Sequence, residues 1–454
     1  MERKTNLFSD FEAVSAKAFK QKIQFDLKGA DYNETLVWQS LEGIHVKPFY
    51  HQDESKEILA VQAPEQWFIG EKIFIVDAVK SAQTAIKSIE SGVEAIYFQA
   101  DAPFDVELLF KGLRDIKTPL YFELRFLDEE FYKRINAFAK AYHITIKLDI
   151  INHLALDGNW YQNLQQDHDI VTRLLQGDGK NLTVDSTLYQ NAGATMVQQL
   201  AYGIAHLTEY LHHCEKEKLG LDLVTFEVAV GTNYFFEIAK LRALRKLAAI
   251  VMTAFNYNDT TITIIAHPSR RNKTIYDYNI NMLRTTTECM SAVLGGADWV
   301  VNMPYDALYH KTNNFGQRIS RNQLIVLKEE SYFDVVQNPA DGSYYVEELT
   351  SQLAEKALAL YKDIEAQGGF LRQLKEGTIQ RKIKESAAKE QTKFDQGELI
   401  LLGTNKHPNP KDVMKGELEI YPFVKMNPRK TLLAPIISKR LAETLEQERI
   451  KAEK

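Results

Sequence analysis

Several short apolar runs of this chain end in a residue that can do chemistry. The end residues are Asp77, Gln99, Glu123 or Arg125, Asp149, Asp185, Glu227, His267 and Asn302. Carboxylates and an imidazole gathered in one cleft are the raw material of general acid–base work. Each of them can as readily cap the helix that follows. His267 stands beside Pro268, Ser269, Arg270 and Arg271. That context suits a cleft residue with two cations nearby for an anionic ligand. It suits equally a strand-end histidine bonded to backbone, followed by a solvated basic turn. His212, His213 and Cys214 are consecutive, and on a helix consecutive side chains diverge, so they make a poor metal site. The chain has no Gly-x-Gly-x-x-Gly, no phosphate-binding Gly-x4-Gly-Lys-Ser/Thr loop and no Gly-x-Ser-x-Gly elbow. Gly295-Gly296 reads as a helix stop.

The elements that must position these residues follow a regular pattern. The strand candidates are 72–77, 95–100, 120–125, 144–149, 181–186, 224–230, 261–267 and 298–304. Amphipathic helical stretches separate them. Near-continuous apolar strands joined by helices imply a parallel sheet buried on both faces. Eight such units over some 250 residues predict a closed (β/α)8 TIM barrel, with an open doubly wound sheet as the alternative. In a barrel the strand ends converge on one mouth. Residues 1–71 read as an N-terminal arm, with a helix over 8–23 behind Ser9 or Asp10 and two strand-like runs around Gly43. Residues 72–375 are the barrel and its last helices. Residues 376–454 form a C-terminal extension: an exposed helix over 376–395, a strand in LILLGTNKHPNP, an extended stretch and a charged helical tail.

Composition narrows the function classes. Of 454 residues, 45% are hydrophobic and 26% charged, the balance of a globular chain rather than a disordered one. A net charge of −6 argues against a protein built to grip nucleic acid. No apolar run approaches a membrane span, and the N-terminus has no signal-peptide h-region. Two cysteines, Cys214 and Cys289, exclude a disulfide framework and point to a reducing, cytoplasmic setting.

Four segments are more specific: LVWQSLEGIHVKPFY (36–50), NYFFEIAKLRALRKL (233–247), YNINMLRTTTECMSAVLGGADWV (278–300) and RISRNQLIVLKEESYFDVVQNPADGSYYVEELT (318–350). In order and spacing the chain resembles the substrate-binding barrel region of the methylmalonyl-CoA mutase family. The resemblance implies a barrel, a partner-embracing arm over residues 1–35, and adenosylcobalamin radical chemistry converting (R)-methylmalonyl-CoA to succinyl-CoA. It also implies three catalytic parts, and this sequence departs from each. None of its 11 histidines has an aspartate two places before it, as the family's cobalt-ligating Asp-x-His-x-x-Gly requires. Residues 432–454 resemble the linker into the cobalamin domain, where the chain stops. In the stretch matching Tyr-His-Met-Gln-Glu-Ala-Gly-Ala, Leu188 occupies the histidine position, and Tyr189 is displaced by one residue. The Tyr- and Arg-rich segment that closes over substrate has no counterpart in residues 51–73. No catalytic, cofactor-binding or metal residue is therefore expected. Glu123, Asp149, Gln190, Glu227 and His267 are expected as vestigial barrel-mouth residues.

That pattern resembles the small, noncatalytic (β) subunit of heterodimeric mutases. It implies a large catalytic subunit as partner, adenosylcobalamin held by that partner, no nucleic-acid or membrane partner, and a homodimer when the partner is missing. It also implies a barrel filled by side chains. The alternative is the substrate-binding chain of a split acyl-CoA mutase, which requires an open mouth with cations at its rim. A third reading is a binding or chaperone-like protein that keeps the barrel for assembly alone.

Overall fold

The computed structural model describes residues 10–54, 61, 63–114, 116–177, 179–425 and 428–453. Two short strands, β1 (Trp38–Gln39) and β2 (His45–Val46), pair antiparallel in the arm. Gly43 sits between them at φ +67°, a conformation a side chain disfavours. Eight parallel strands follow: β3 (Phe68–Phe74), β4 (Ala95–Ala100), β5 (Leu120–Leu124), β6 (Ile144–Ile146), β7 (Asn181–Asp185), β8 (Leu223–Val230), β9 (Thr261–Pro268) and β10 (Trp299–Val301). Their order is β6-β5-β4-β3-β10-β9-β8-β7, so the first and last barrel strands pair, with Trp299 beside Phe68. The remaining seam, between β6 and β7, is bridged by Thr183 N–H donating to the Leu148 carbonyl at 3.1 Å. The fold is a (β/α)8 TIM barrel. Burial explains the strand composition: all of Ala95–Ala100 is buried, one face against helices and the other toward the axis.

The first barrel strand begins four residues earlier than its sequence pattern suggests. Glu71 interrupts the apolar run, yet it lies inside the strand and is buried. It accepts from Ser88 Oγ at 2.6 Å and from Arg321 at 2.9 Å. An ion pair to a flanking helix thus lets a charge occupy an interior strand position. Asp77, expected at the mouth, instead caps the helix Ala78–Glu90 by accepting from Lys80 N–H at 2.8 Å.

The arm's helix runs Ala16–Asp26, capped by Ser15 rather than by Asp10; Ser9 lies outside the described residues. Glu42 fixes the arm to the barrel. Its two carboxylate oxygens accept from Met196 and Val197 N–H, both at 2.9 Å, at the start of the helix Met196–Glu217. These are donors that no intrahelical carbonyl can use.

After the barrel come helices Tyr344–Ala366, Phe370–Lys375 and Thr378–Asp395. The strand expected in LILLGTNKHPNP does not form; only an isolated bridge joins Leu402 and Lys406. The reason is Asn405. Its side chain accepts from Leu401 N–H and donates to the carbonyls of Phe394 and Leu399, taking groups a strand partner would need. The rest of the extension is packed down rather than loose. Backbone bonds join Leu433 to Gly158, Ile436 to Ala155, Lys439 to Asn191 and Leu441 to Arg271. The segment therefore straps the loops at the C-terminal ends of the strands and ends in the helix Glu443–Ala452. Among the described residues no helix is long and apolar enough to cross a membrane.

Candidate functional site at the barrel mouth

Two layers occupy the barrel axis. The lower one is aromatic: Tyr97, Tyr121, Trp299 and Phe68 pack with Ala95, Ile265 and Val301. Tyr97 and Tyr121 are fully enclosed, their rings 4.9 Å apart. No linear ligand can be threaded through this plug. Above it the phenols turn upward into a charged layer built from seven strands or strand ends.

Glu227 of β8 is the hub. It accepts from Tyr121 OH at 2.9 Å, from Tyr97 OH at 3.0 Å and from His267 Nε2–H at 3.1 Å. Lys147, just past β6, reaches Asp185 at 2.6 Å, Glu227 at 3.0 Å and Glu123 at 3.8 Å. Lys72 reaches Glu123 at 3.1 Å, and its ammonium lies 4.2 Å from the centre of the Tyr97 ring. Thr183 closes the layer against Tyr121 OH at 3.1 Å.

Burial and charge compete here, and the pairings decide the outcome. Burial works against the charge of Lys147, but Asp185, Glu227 and Glu123 outweigh it and hold its pKa well above the usual lysine value. Burial likewise opposes the charge on Glu123; Lys72 and Lys147 prevail, and its pKa is pushed down to about 2. Lys147 and the His267 hydrogen bond hold Glu227 far below the carboxylate range against the same burial. Asp185 goes the other way, because burial exceeds the help it gets from Lys147. Burial and the surrounding carboxylates push the Tyr97 and Tyr121 phenols up. The layer is a set of fixed charges that satisfy one another. Glu123 and Glu227 are held ionised in it, and Lys147 is held charged by the carboxylates around it.

Above this layer the mouth opens into a cavity of about 680 Å³, the size of a small-molecule site. Its floor is Glu123, Lys147, Asp185, Glu227 and His267. Leu127, Leu156, Leu188 and Met303 give it apolar walls, and Arg125, Arg270, Lys311 and Arg429 give it cations. Arg429 and Ser438 come from the C-terminal strap. The expectation of a barrel filled throughout therefore holds only for its lower part.

Glu123, Glu227 and His267 converge as mouth residues. Asp149 faces the cavity with its backbone, but its carboxylate is committed. It caps the helix Ile150–Asp157 and accepts from Tyr210 OH at 2.9 Å and His206 Nε2–H at 3.0 Å. Gln190 turns away from the cavity and accepts from Ser269 Oγ at 2.9 Å. Leu188, at the position where the family resemblance places a histidine, lines the cavity. Tyr189 does not replace it: the phenol is buried behind the wall and shares a hydrogen bond with His206 Nδ1 at 3.0 Å. Asp149 can only accept, so Nε2 of His206 carries a proton toward it, completing a Tyr189–His206–Asp149 chain. His206 was not a sequence candidate. It lies in the apolar run LAYGIAHLTEYL, where helical patterning marks only a core position. The two arginines after His267 separate: Arg270 lines the cavity, whereas Arg271 is bound to Glu390 and to the Lys439 carbonyl. Asn302 is structural, donating to the Ser320 carbonyl at 2.8 Å. Among the described residues no group of histidine, cysteine and acidic side chains is arranged to hold a metal.

Fold and mouth together define a TIM-barrel protein with a ligand-sized cavity over a layer of mutually paired charges. Comparison with known proteins gives the family. The methylmalonyl-CoA mutase family model matches residues 133–447, and the chain belongs to that family. It is 31% identical to the methylmalonyl-CoA mutase small subunit of Porphyromonas gingivalis, over 89% of this chain and 72% of that protein. It is 35% identical to the small subunit of Streptomyces virginiae, over 50% of this chain and 38% of that one. The large subunit of Propionibacterium freudenreichii subsp. shermanii is 31% identical over 60% of this chain and 40% of its own length. The chain thus spans well under the full length of these relatives, and both small- and large-subunit names occur among them.

Proposed function

We propose that this chain is the noncatalytic small subunit of a two-chain methylmalonyl-CoA mutase. In that role it supports a large subunit that carries out the adenosylcobalamin-dependent isomerisation of (R)-methylmalonyl-CoA to succinyl-CoA. The observation that carries the reading is Leu188 at the cavity wall, with Tyr189 turned away to His206. A leucine neither donates to a developing negative charge nor relays a proton. The aromatic plug and the mutually paired charges below the cavity agree with it. No histidine of this sequence stands two places after an aspartate, the spacing that the family resemblance gives for the lower ligand to cobalt. No step is therefore assigned to cobalamin on this chain; the cofactor belongs to the partner. The arm suits association, because Phe25 and Trp38 keep apolar surface outward while Glu42 anchors their base.

Co-expression with a mutase large subunit tests the proposal. The two chains are expected to co-purify at micromolar concentration, and isomerase activity or its thermal stability is expected to rise with this chain present. Failure to associate overturns the reading. The cavity favours one competitor, the substrate-binding chain of a split acyl-CoA mutase. Acyl-CoA turnover by this chain with a separate cobalamin protein decides for that competitor.

A further inference from the structure

His213 diverges from its neighbours His212 and Cys214, but it has a partner across a helix interface. His168, on the helix Leu164–Gln176, meets it edge-on, with ring centres 4.9 Å apart and ring planes at 66°. His213 lies on the helix Met196–Glu217, and both imidazoles are half-buried. Each ring is held in place. The Leu164 carbonyl can only accept, so Nδ1 of His168 donates to it at 2.8 Å. Nε2 of His213 shares a hydrogen bond with Thr172 Oγ1, also at 2.8 Å. Trp160, from the loop before the first helix, packs 5.6 Å from the His168 ring. His212 takes no part, because its ring packs against Phe255.

The surroundings suit two neutral rings better than two charged ones. On the helix of His168, Asp167 accepts from the N–H groups of Tyr161 and Gln162 at 2.8 and 3.0 Å, and Asp169 accepts from Gln165 at 2.7 Å. On the helix of His213, Glu209 accepts from Leu371 N–H at 2.8 Å, and Glu217 pairs with Lys216 at 3.2 Å. Arg173, beside Thr172, is held by Glu129 at 2.7 Å. Among the described residues none of these acids pairs with either ring. Protonating both histidines sets two imidazoliums side by side where burial already opposes charge. Burial lowers the pKa of each, and the charge of His168 lowers that of His213 further. A histidine lowered in this way supports the fold above its unfolded value of 6.5, and that support is lost as pH falls below it. We propose that His168 and His213 form an acid-sensitive latch: the neutral rings seat the helix Leu164–Gln176 on Met196–Glu217, and their joint protonation loosens that helix locally. The latch goes beyond the subunit reading and does not depend on it, because neither histidine lies in the arm or lines the mouth cavity.

Amide hydrogen exchange on the full chain tests this at about pH 7.5 and about pH 5, with rates corrected for their intrinsic pH dependence. Opening of Leu164–Gln176 should rise by roughly tenfold at the lower pH. The helix Ala78–Glu90 contains no histidine and serves as the internal reference, expected to change little. Carrying His168→Gln and His213→Gln together keeps polar side chains but removes both proton sites. In that chain the acid-induced rise should disappear, and His213→Gln alone should reduce it; circular dichroism establishes that each variant is folded. The parent chain needs no variant to decide: the proposal is overturned if Leu164–Gln176 opens no more at the lower pH, or if both helices open alike. It is overturned equally if the folded double variant keeps the full rise.

Discussion

Lys147 shows how a single side chain sets the character of the mouth. It is buried, yet three carboxylates keep it charged, and it in turn keeps Glu123 and Glu227 ionised. Lys147→Met retains its bulk and removes the charge. Glu123, Asp185 and Glu227 are then left with Lys72 as their remaining ammonium. We expect a loss of about 3–5 kcal/mol in denaturant unfolding. Adding Asp185→Asn to the same chain should recover part of it; a single variant as stable as the parent sinks this account. The sequence exposes the endpoints of this network but not its wiring. Glu123, Glu227 and His267 stand at strand ends and are readable there. Lys147 sits one residue inside an alternating run, ITIKLD, where it reads as solvent-facing. Only closure of the barrel turns that position toward the axis. His206 is invisible for the opposite reason, being a polar residue at a core position whose partners, Asp149 and Tyr189, lie far away in sequence.

At the scale of elements, the strands were legible because both of their faces are buried, so each reads as an apolar run with sharp ends. The exceptions are instructive. β3 starts early because an ion pair between Glu71 and Arg321 conceals a charge inside it. The strand near Leu402 fails because Asn405 takes its hydrogen bonds. Helix packing also creates a pH response. Glu365, on the helix Tyr344–Ala366, is pushed up to about 7 by partial burial and then by the charge of Glu209 on Met196–Glu217. An acid whose pKa is raised on folding stabilises the fold below its unfolded value, here 4.5, and that stability is lost as pH rises through 7. Glu365→Gln should therefore raise stability at pH 8 by up to ~1 kcal/mol, a figure discounted because the group is only half-buried. Near pH 4 it should change little. Thermal melts at the two pH values check this, and equal shifts at both would contradict the assignment.

On the scale of the whole molecule, sequence pattern conveyed the barrel but not the path of the last sixty residues. Their extended, proline-containing composition reads as a tether. Their contacts are backbone bonds to Ala155, Gly158, Asn191 and Arg271, and no periodicity announces them. The axial charge layer has a consequence for assembly. Lys72, Tyr97, Glu123, Lys147, Asp185, Glu227 and His267 come from seven successive strands, and the carboxylates of the second half find their ammonium in the first. A chain cut between β6 and β7 leaves Lys147 without Asp185 and Glu227 on one side, and those acids without Lys147 on the other. Each half-barrel, expressed alone, should give a protease-sensitive chain without a cooperative melt, while co-expressed halves recover one. A first half that folds and melts cooperatively by itself would count against this. The charge layer then acts as a lock on folding cooperativity: the pairs of Lys147 with Asp185 and Glu227 form only when the two halves of the circle meet.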